Sequence, residues 1–296
     1  MKTSSHEDTV YDDPRYREID VGSIMRTGHP DIAEGDDHIV SVVQALRSDL
    51  GHPVRIIDVG SGSADLSLLL ARALPDCTVV ANDVAANPVA QARDKLRPFA
   101  NASVFGKPFA EWTGPVDVVI SWGSHHHLSH DYLEHVREIL SEDGIFIAGD
   151  EFCPEYLTNA DADRLARAKE IKLVDGYVFD RKEDIDAYLA TGQVPAWSAR
   201  LEEARRRALW TWYKFVGDYA VEHAAWAVVI AELGIARDDL VTQQSEEHKT
   251  SPLLLEHELK LGGFDIAGKT VIGAREPALL SFVVYTCRPA RVQVPA

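Results

Sequence analysis

The most constraining feature of the chain is one uninterrupted unit, VRIIDVGSGSADLSLLLARALPDCTVVAND at residues 54–83. A short β-branched run (VRIIDV, 54–59) ends in a glycine-rich turn. Leu66, Leu69, Leu70 and Ala73 then recur at helical spacing, and a second β-branched run closes on an acid. Strand, crossover helix and parallel strand account for all of these features together. The alternation continues: PVAQARDKL (88–96) predicts a helix with Pro88 in its first turn, and ASVFG (102–106) a third strand. VDVVISW (116–122) predicts a fourth strand, Tyr132 to Leu140 a helix, and GIFIAGD (144–150) a fifth strand entered through the turn residues EDG. The pattern is that of an α/β chain, a parallel sheet with helices on both faces.

After Cys153 the pattern changes. About a hundred residues follow with helical period and no convincing strand: helices are expected at Asn159 to Leu173, Arg181 to Leu189 and Ala199 to Leu233. In the last, Leu201, Leu209, Trp212, Phe215, Val216, Tyr219 and Trp226 fall on one stripe. Strands resume at Phe264 to Ile272 and at LLSFVVYTC (279–287), and HIVSVVQALRSDL (38–50) reads as a helix leading into the first strand. The expected division is an N-terminal helical cap at 1–50, a core at 51–152 and 251–296, and a helical lid insert at 153–250.

Charge and cysteine usage narrow the function. With a formal charge of -17, a polyanion meets a repulsive field, so nucleic acid is not an expected partner. Cys77, Cys153 and Cys287 are far apart and form no CxxC pair, which points to a reducing compartment and to no thiolate metal motif. The start, MKTSSHEDTVYDD, lacks the basic and apolar segments of a secretory signal, and no run reaches the ~18 apolar residues of a membrane helix. A cytoplasmic protein without a membrane partner is expected.

In the first turn, Gly60 and Gly62 let the backbone bend and approach a ligand closely. Asp83, about twenty residues on at a strand end, can accept both hydroxyls of an adenosine ribose. The turn reads DxGxG and lacks the GxGxxG spacing of a dinucleotide site, so a nucleoside is expected there.

On Asp58, Gly60, Gly62, Asp83, the VDVVIS strand and HHHLSHDYLEHVREILSEDGIFIAGDE, the chain resembles the class I S-adenosylmethionine-dependent methyltransferases. The resemblance covers residues 54–152 and about 251–287. It implies a Rossmann-like seven-stranded, mostly parallel sheet whose last strand is antiparallel, with S-adenosylmethionine as co-substrate. By it Asp58, Gly60, Ser61 and Gly62 hold the methionine end, Asp83 the ribose and Val84 one face of the adenine. Ser121 and Trp122, at the end of the fourth strand, join the cofactor-binding set. Two departures stand out: Ala64 occupies a position where many members have a third glycine, and GKPF replaces an acid often found near the adenine amine, which makes Phe109 a packing contact.

SWGSHHHLSHD (121–131) lies at the carboxyl edge of the fourth strand, where such sheets bind ligands, with Ser129 or Asp131 as helix cap. His126 and His127 match a histidine pair common at this place in the family, and His125 is additional. Three roles are open: a structural contact, a general base at His126 or His127, or a metal site completed by an outside carboxylate such as Asp150 or Glu151. The spacing itself demands no metal, and none is expected. GDEFCPEY supplies Asp150, Glu151 and Tyr156 as further catalytic candidates. The lid aromatics Trp210, Trp212, Tyr213, Phe215, Tyr219 and Trp226 offer either a packing stripe or a face for a sulfonium cation, with Tyr11 and Tyr16 as N-terminal contributors. The leading expectation is a methyltransferase acting on a small molecule. The alternatives are cyclisation of S-adenosylmethionine itself with loss of methylthioadenosine, and a non-catalytic cofactor-binding protein; a homodimer through the lid helices stays open.

Overall fold

A computed structural model describes residues 20–29, 31–128, 131–168, 172–237, 240, 251–273 and 282–290. In chain order the elements are α1 (Val21–Gly28), α2 (Ile32–Leu50), β1 (Arg55–Val59), α3 (Asp65–Ala73), β2 (Thr78–Asn82), α4 (Ala86–Leu96), β3 (Ala102–Phe105), β4 (Val116–Trp122), α5 (Tyr132–Ile139) and β5 (Leu140–Glu151). There follow α6 (Asn159–Ala166), β6 (Lys172–Val174), β7 (Tyr177–Phe179), α7 (Lys182–Thr191), α8 (Ala196–Glu222), α9 (Trp226–Arg237), α10 (Pro252–Leu261), β8 (Phe264–Ile272) and β9 (Phe282–Pro289).

Seven strands form one sheet in the order β3-β2-β1-β4-β5-β9-β8. Neighbours from β3 to β5 pair parallel, and β9 runs antiparallel to both β5 and β8. The central strands are buried along nearly their whole length, as continuous apolar runs such as RIIDV and VDVVISW require when helices cover both faces. On one face α2 and α3 pack Ile39, Val43, Leu46, Leu66 and Leu70 against Ile56, Val118 and Ile147. On the other, α5 and α10 bring Leu133, Val136, Leu255 and Leu259 onto Ile57, Val119 and Phe146. This is the Rossmann-like, mostly parallel seven-stranded architecture with an antiparallel last strand that the sequence leads one to expect. Its parallel register places the ends of β1, β2, β4 and β5 along one edge, with Val59 opposite Asn82 and Ser121, and Trp122 opposite Gly149.

The region after β5 departs from the expectation in two ways. It is not strandless, because β6 and β7 form an antiparallel hairpin, so the helix expected to reach Leu173 ends at Ala166. Its turn, Val174 to Tyr177, puts Asp175 and Gly176 at positive φ, a hairpin signal carried by the DG pair. The long helix expected at 199–233 is two helices, broken where Ala224 adopts φ 53°. The break also divides the aromatic stripe. Leu201, Leu209, Trp212 and Val216 are buried, whereas Trp210 and Trp226 face solvent and supply no face toward the sheet edge. β5 starts at Leu140 rather than 144, with a register shift opposite Val116 and Val118. Tyr11, Tyr16 and Ser129 lie outside the described residues.

Candidate functional site

The glycine turn after β1 is closed by two backbone bonds, Ser61 N–H to Asn82 O (2.9 Å) and Ala64 N–H to Ser61 O (2.9 Å). Gly60, Gly62 and Ala64 all have positive φ. A Cβ on Gly60 would stand 2.6 Å from that of Ser124, whereas one on Gly62 would meet nothing within 4 Å: the turn presents open space there. Ala64 explains the missing third glycine. It takes φ 67° at a cost of roughly 1–2 kcal/mol, and its buried methyl packs with Ala81, Ala92 and Leu96.

Asp83 ties this turn to the start of α4. Its Oδ2 accepts the Gly62 N–H (2.8 Å), and its Oδ1 accepts those of Val84 (2.7 Å) and Ala85 (2.9 Å). Val84 is exposed beside it. Asp58 lies buried beneath the turn and accepts the Ser67 hydroxyl (2.7 Å); burial, with Asp36 and Asp83 nearby, pushes its carboxyl up to about 7. The Ser61 hydroxyl oxygen is buried with no hydrogen-bond partner among the described residues.

The three histidines separate by partner. The buried His125 ring lies between the Tyr132 hydroxyl (Nδ1, 2.6 Å) and Glu258 (Nε2, 2.8 Å), facing α5 and α10. Burial pushes the Tyr132 phenol well above its usual range. The His126 Nδ1 lies 2.9 Å from Asp150 Oδ1, and its backbone N–H donates to Oδ2 (3.0 Å). Asp150 is fully buried, which alone would raise its carboxyl; the charge and hydrogen bonds of His126 outweigh that and hold it below the ordinary range. His127 is exposed, its ring 4.0 Å from that of His126.

Other expected site residues are used differently. Trp122 turns its indole toward α2, donating to Asp36 (2.9 Å) and packing on Phe282; a Cβ on Gly149 would sit 2.6 Å from its ring. Ser121 and Ser124 share a buried hydroxyl contact (2.9 Å), and Ser124 donates to Val59 O (2.7 Å). Phe109 is buried against His135 (4.9 Å between ring centroids), inside the core rather than at the edge. Tyr156 packs with Leu157 and Leu201 of the segment after β5, and burial drives its phenol far above the usual value. Glu151 lies 2.7 Å from His29.

Several contributors were not singled out from the sequence. Asn82 donates to the carbonyls of Phe105 (2.8 Å) and Lys107 (2.7 Å), anchoring the GKPF loop. Lys95 joins Asp20 (2.7 Å), Asp65 (2.9 Å) and the Ser63 hydroxyl (2.9 Å), fastening the start of α1 beside the glycine turn. His29 and Glu232 also lie buried near the end of β5. Asp83 is legible because a strand-end acid at this spacing is a local signal, whereas Lys95 and His29 stand in stretches without one.

Residues 56–144 match a family model described as a methyltransferase domain. Among curated proteins, none matches this chain in sequence. Similar solved structures include magnesium protoporphyrin IX methyltransferase from Synechocystis PCC 6803, at 14% identity and TM-score 0.48 over 90% of this chain and 85% of that one. A SAM-dependent methyltransferase from Aquifex aeolicus is 12% identical over 90% and 96%, with TM-score 0.47. Mitomycin 7-O-methyltransferase is 13% identical over 85% and 54%, with TM-score 0.46. At these identities none of them speaks to a substrate. Among the described residues no helix is long and apolar enough to cross a membrane.

Proposed function

We propose that this chain, whose residues 56–144 match a methyltransferase-domain model, is a class I S-adenosylmethionine-dependent methyltransferase that methylates a small-molecule acceptor in specialised metabolism, held between the sheet edge, the N-terminal cap and the helical lid. The observation that carries this reading is the pair of carboxylates Asp58 and Asp83 at the ends of β1 and β2 beside the open glycine turn. Such an edge suits a nucleoside with a diol at one end and a sulfonium and an ammonium at the other. The open space at Gly62 and the Ser61 hydroxyl, buried and without a partner among the described residues, fit a ligand seated on the turn.

When bound, S-adenosylmethionine supplies a methyl carbon made electrophilic by positively charged sulfur. Asp83 is the acceptor for the ribose hydroxyls, exposed Val84 a face for the adenine, and Asp58 with the turn N–H groups the holder of the methionine end. In its neutral form His126, with Nδ1–H donated to Asp150, offers Nε2 to take a proton from an acceptor that must lose one. The remaining contribution is orientation and exclusion of water by the lid. The charge of -17 supports a small acceptor over nucleic acid, and three buried cysteines spaced far apart in sequence support a cytoplasmic setting.

The test is product analysis with the purified protein. Formation of S-adenosylhomocysteine only when a panel of small-molecule acceptors is added supports methyl transfer. Methylthioadenosine released without any acceptor overturns it in favour of intramolecular alkylation, and tight cofactor binding with no product across the panel overturns it in favour of a binding protein.

Asp58 adds a pH dependence. Its carboxyl is raised from 3.8 to about 7 in the folded chain, so the unfolded chain releases this proton first, and stability without ligand declines as pH climbs between those values. A cationic ligand beside Asp58 requires the ionised form. Cofactor affinity is therefore expected to fall about tenfold per pH unit below about pH 7 and to level off above it. Calorimetry in buffers of different ionisation enthalpy checks this: proton release near pH 6 is expected, and pH-independent affinity from pH 5.5 to 8 would remove Asp58 from the binding site.

A further inference from the structure

Outside the glycine turn and the His126–Asp150 pair, one cluster joins three separate parts of the chain. His29 follows α1, Glu151 ends β5, and Glu232 lies on α9. All three side chains are buried. The His29 Nε2 lies 2.7 Å from Glu151 Oε1 and 3.9 Å from Glu232 Oε1, and one ligand atom from each residue falls within 4.8 Å of the others. We propose that His29, Glu151 and Glu232 bind one divalent first-row transition-metal cation.

Three arguments support it. Donors held about 2.0–2.2 Å from one ion stand roughly 3–3.5 Å apart, and the observed separations of 2.7 and 3.9 Å bracket that value, so a small closure of Glu232 completes the set. The charge also matches: as metal ligands, two ionised carboxylates and a neutral imidazole form a donor set of charge -2, which suits a divalent ion. Finally, a mixed nitrogen and oxygen donor set suits zinc, iron(II) or manganese(II), whereas calcium and magnesium favour oxygen alone.

The ion would fasten the cap, the sheet edge and the lid helix α9 together at the end of β5. It differs from the metal possibility raised for His125, His126 and His127 in taking its imidazole from His29; the rings of His125 and His126 lie against Glu258 and Asp150. It also stands apart from methyl transfer, since it is read by metal content and stability.

The test uses the untagged 296-residue chain after chelator treatment, dialysed against zinc or cobalt(II) and analysed for metal. One equivalent per chain is expected, with a thermal midpoint that rises with metal concentration as binding to the folded state alone demands. His29→Gln, Glu151→Gln and Glu232→Gln are each expected to weaken binding at least tenfold, while His52→Gln, at an exposed loop, leaves it unchanged. Should the buried variants fail to fold, the wild-type protein still decides. The Trp212 and Phe282 rings lie 5.9 and 5.7 Å from the His29 ring, so cobalt(II) must shift their proton resonances strongly. No retained metal, or metal that leaves those resonances unshifted, overturns the proposal, as does binding indifferent to folded variants of all three residues.

Discussion

Replacing Asp83 with alanine is expected to weaken S-adenosylmethionine binding about a hundredfold, roughly 2.7 kcal/mol. The carboxylate has two functions in the proposed complex. It accepts the N–H groups of Gly62, Val84 and Ala85, which holds the glycine turn against the start of α4, and it is the acceptor for the ribose diol. Hydrogen bonds to a charged group contribute about 1.5–3 kcal/mol each, so losing the ribose contacts alone accounts for the effect. Asp83 is only partly buried, so the fold should tolerate the change. Asp83→Asn should fall between the two, because its amide keeps one acceptor but opposes an N–H with an NH2. The measurement is a calorimetric Kd for both variants beside their thermal midpoints. A change below threefold in Asp83→Ala would take the ribose away from this residue.

Asp150→Asn is expected to lower turnover on the acceptor by about 10²–10⁴, the range typical of a positioned base, while cofactor affinity stays within threefold. Asp150 receives the backbone N–H of both His126 and Glu151 and holds the His126 ring through Nδ1. The amide preserves size but cannot select the Nδ1–H tautomer, so Nε2 loses its role as proton acceptor. Asp150→Ala would be more severe, because breaking a buried charged pair costs about 3–5 kcal/mol and threatens the fold. Steady-state kinetics separates the cases: kcat should fall in Asp150→Asn with little change in KM for the cofactor, and His126→Gln should match it. Full turnover in both variants would mean that the acceptor reacts without passing its proton through this pair.

Much of the first half of the sheet was readable in advance because its signals are local. An apolar run of five or six residues, a glycine pair that takes positive φ, and an acid at the next strand end all act within one strand-turn-helix unit, and β1, α3, β2 and Asp83 follow. The region after β5 was less readable. Its helical period concealed the β6–β7 hairpin, whose only local mark is the DG pair at Asp175 and Gly176. The break between α8 and α9 has no glycine or proline to announce it, since Ala224 itself takes φ 53°.

The histidines divide the two kinds of information. Their place at the carboxyl edge of the fourth strand follows from the sequence, because strand order along a βαβ chain determines which ends share an edge. Their roles do not. His125 meets Glu258, 133 residues away, and His126 meets Asp150 across the β4–β5 boundary. His29, Glu151 and Glu232 converge only once the cap and α9 settle against the end of β5. By itself the sequence determined the sheet, the glycine turn and the place of Asp83 at the strand end, each set by backbone propensity and periodicity over a few residues. Only the tertiary structure decided which charges share a buried space: desolvation and pairing depend on neighbours brought together by packing, and no short stretch of chain contains them.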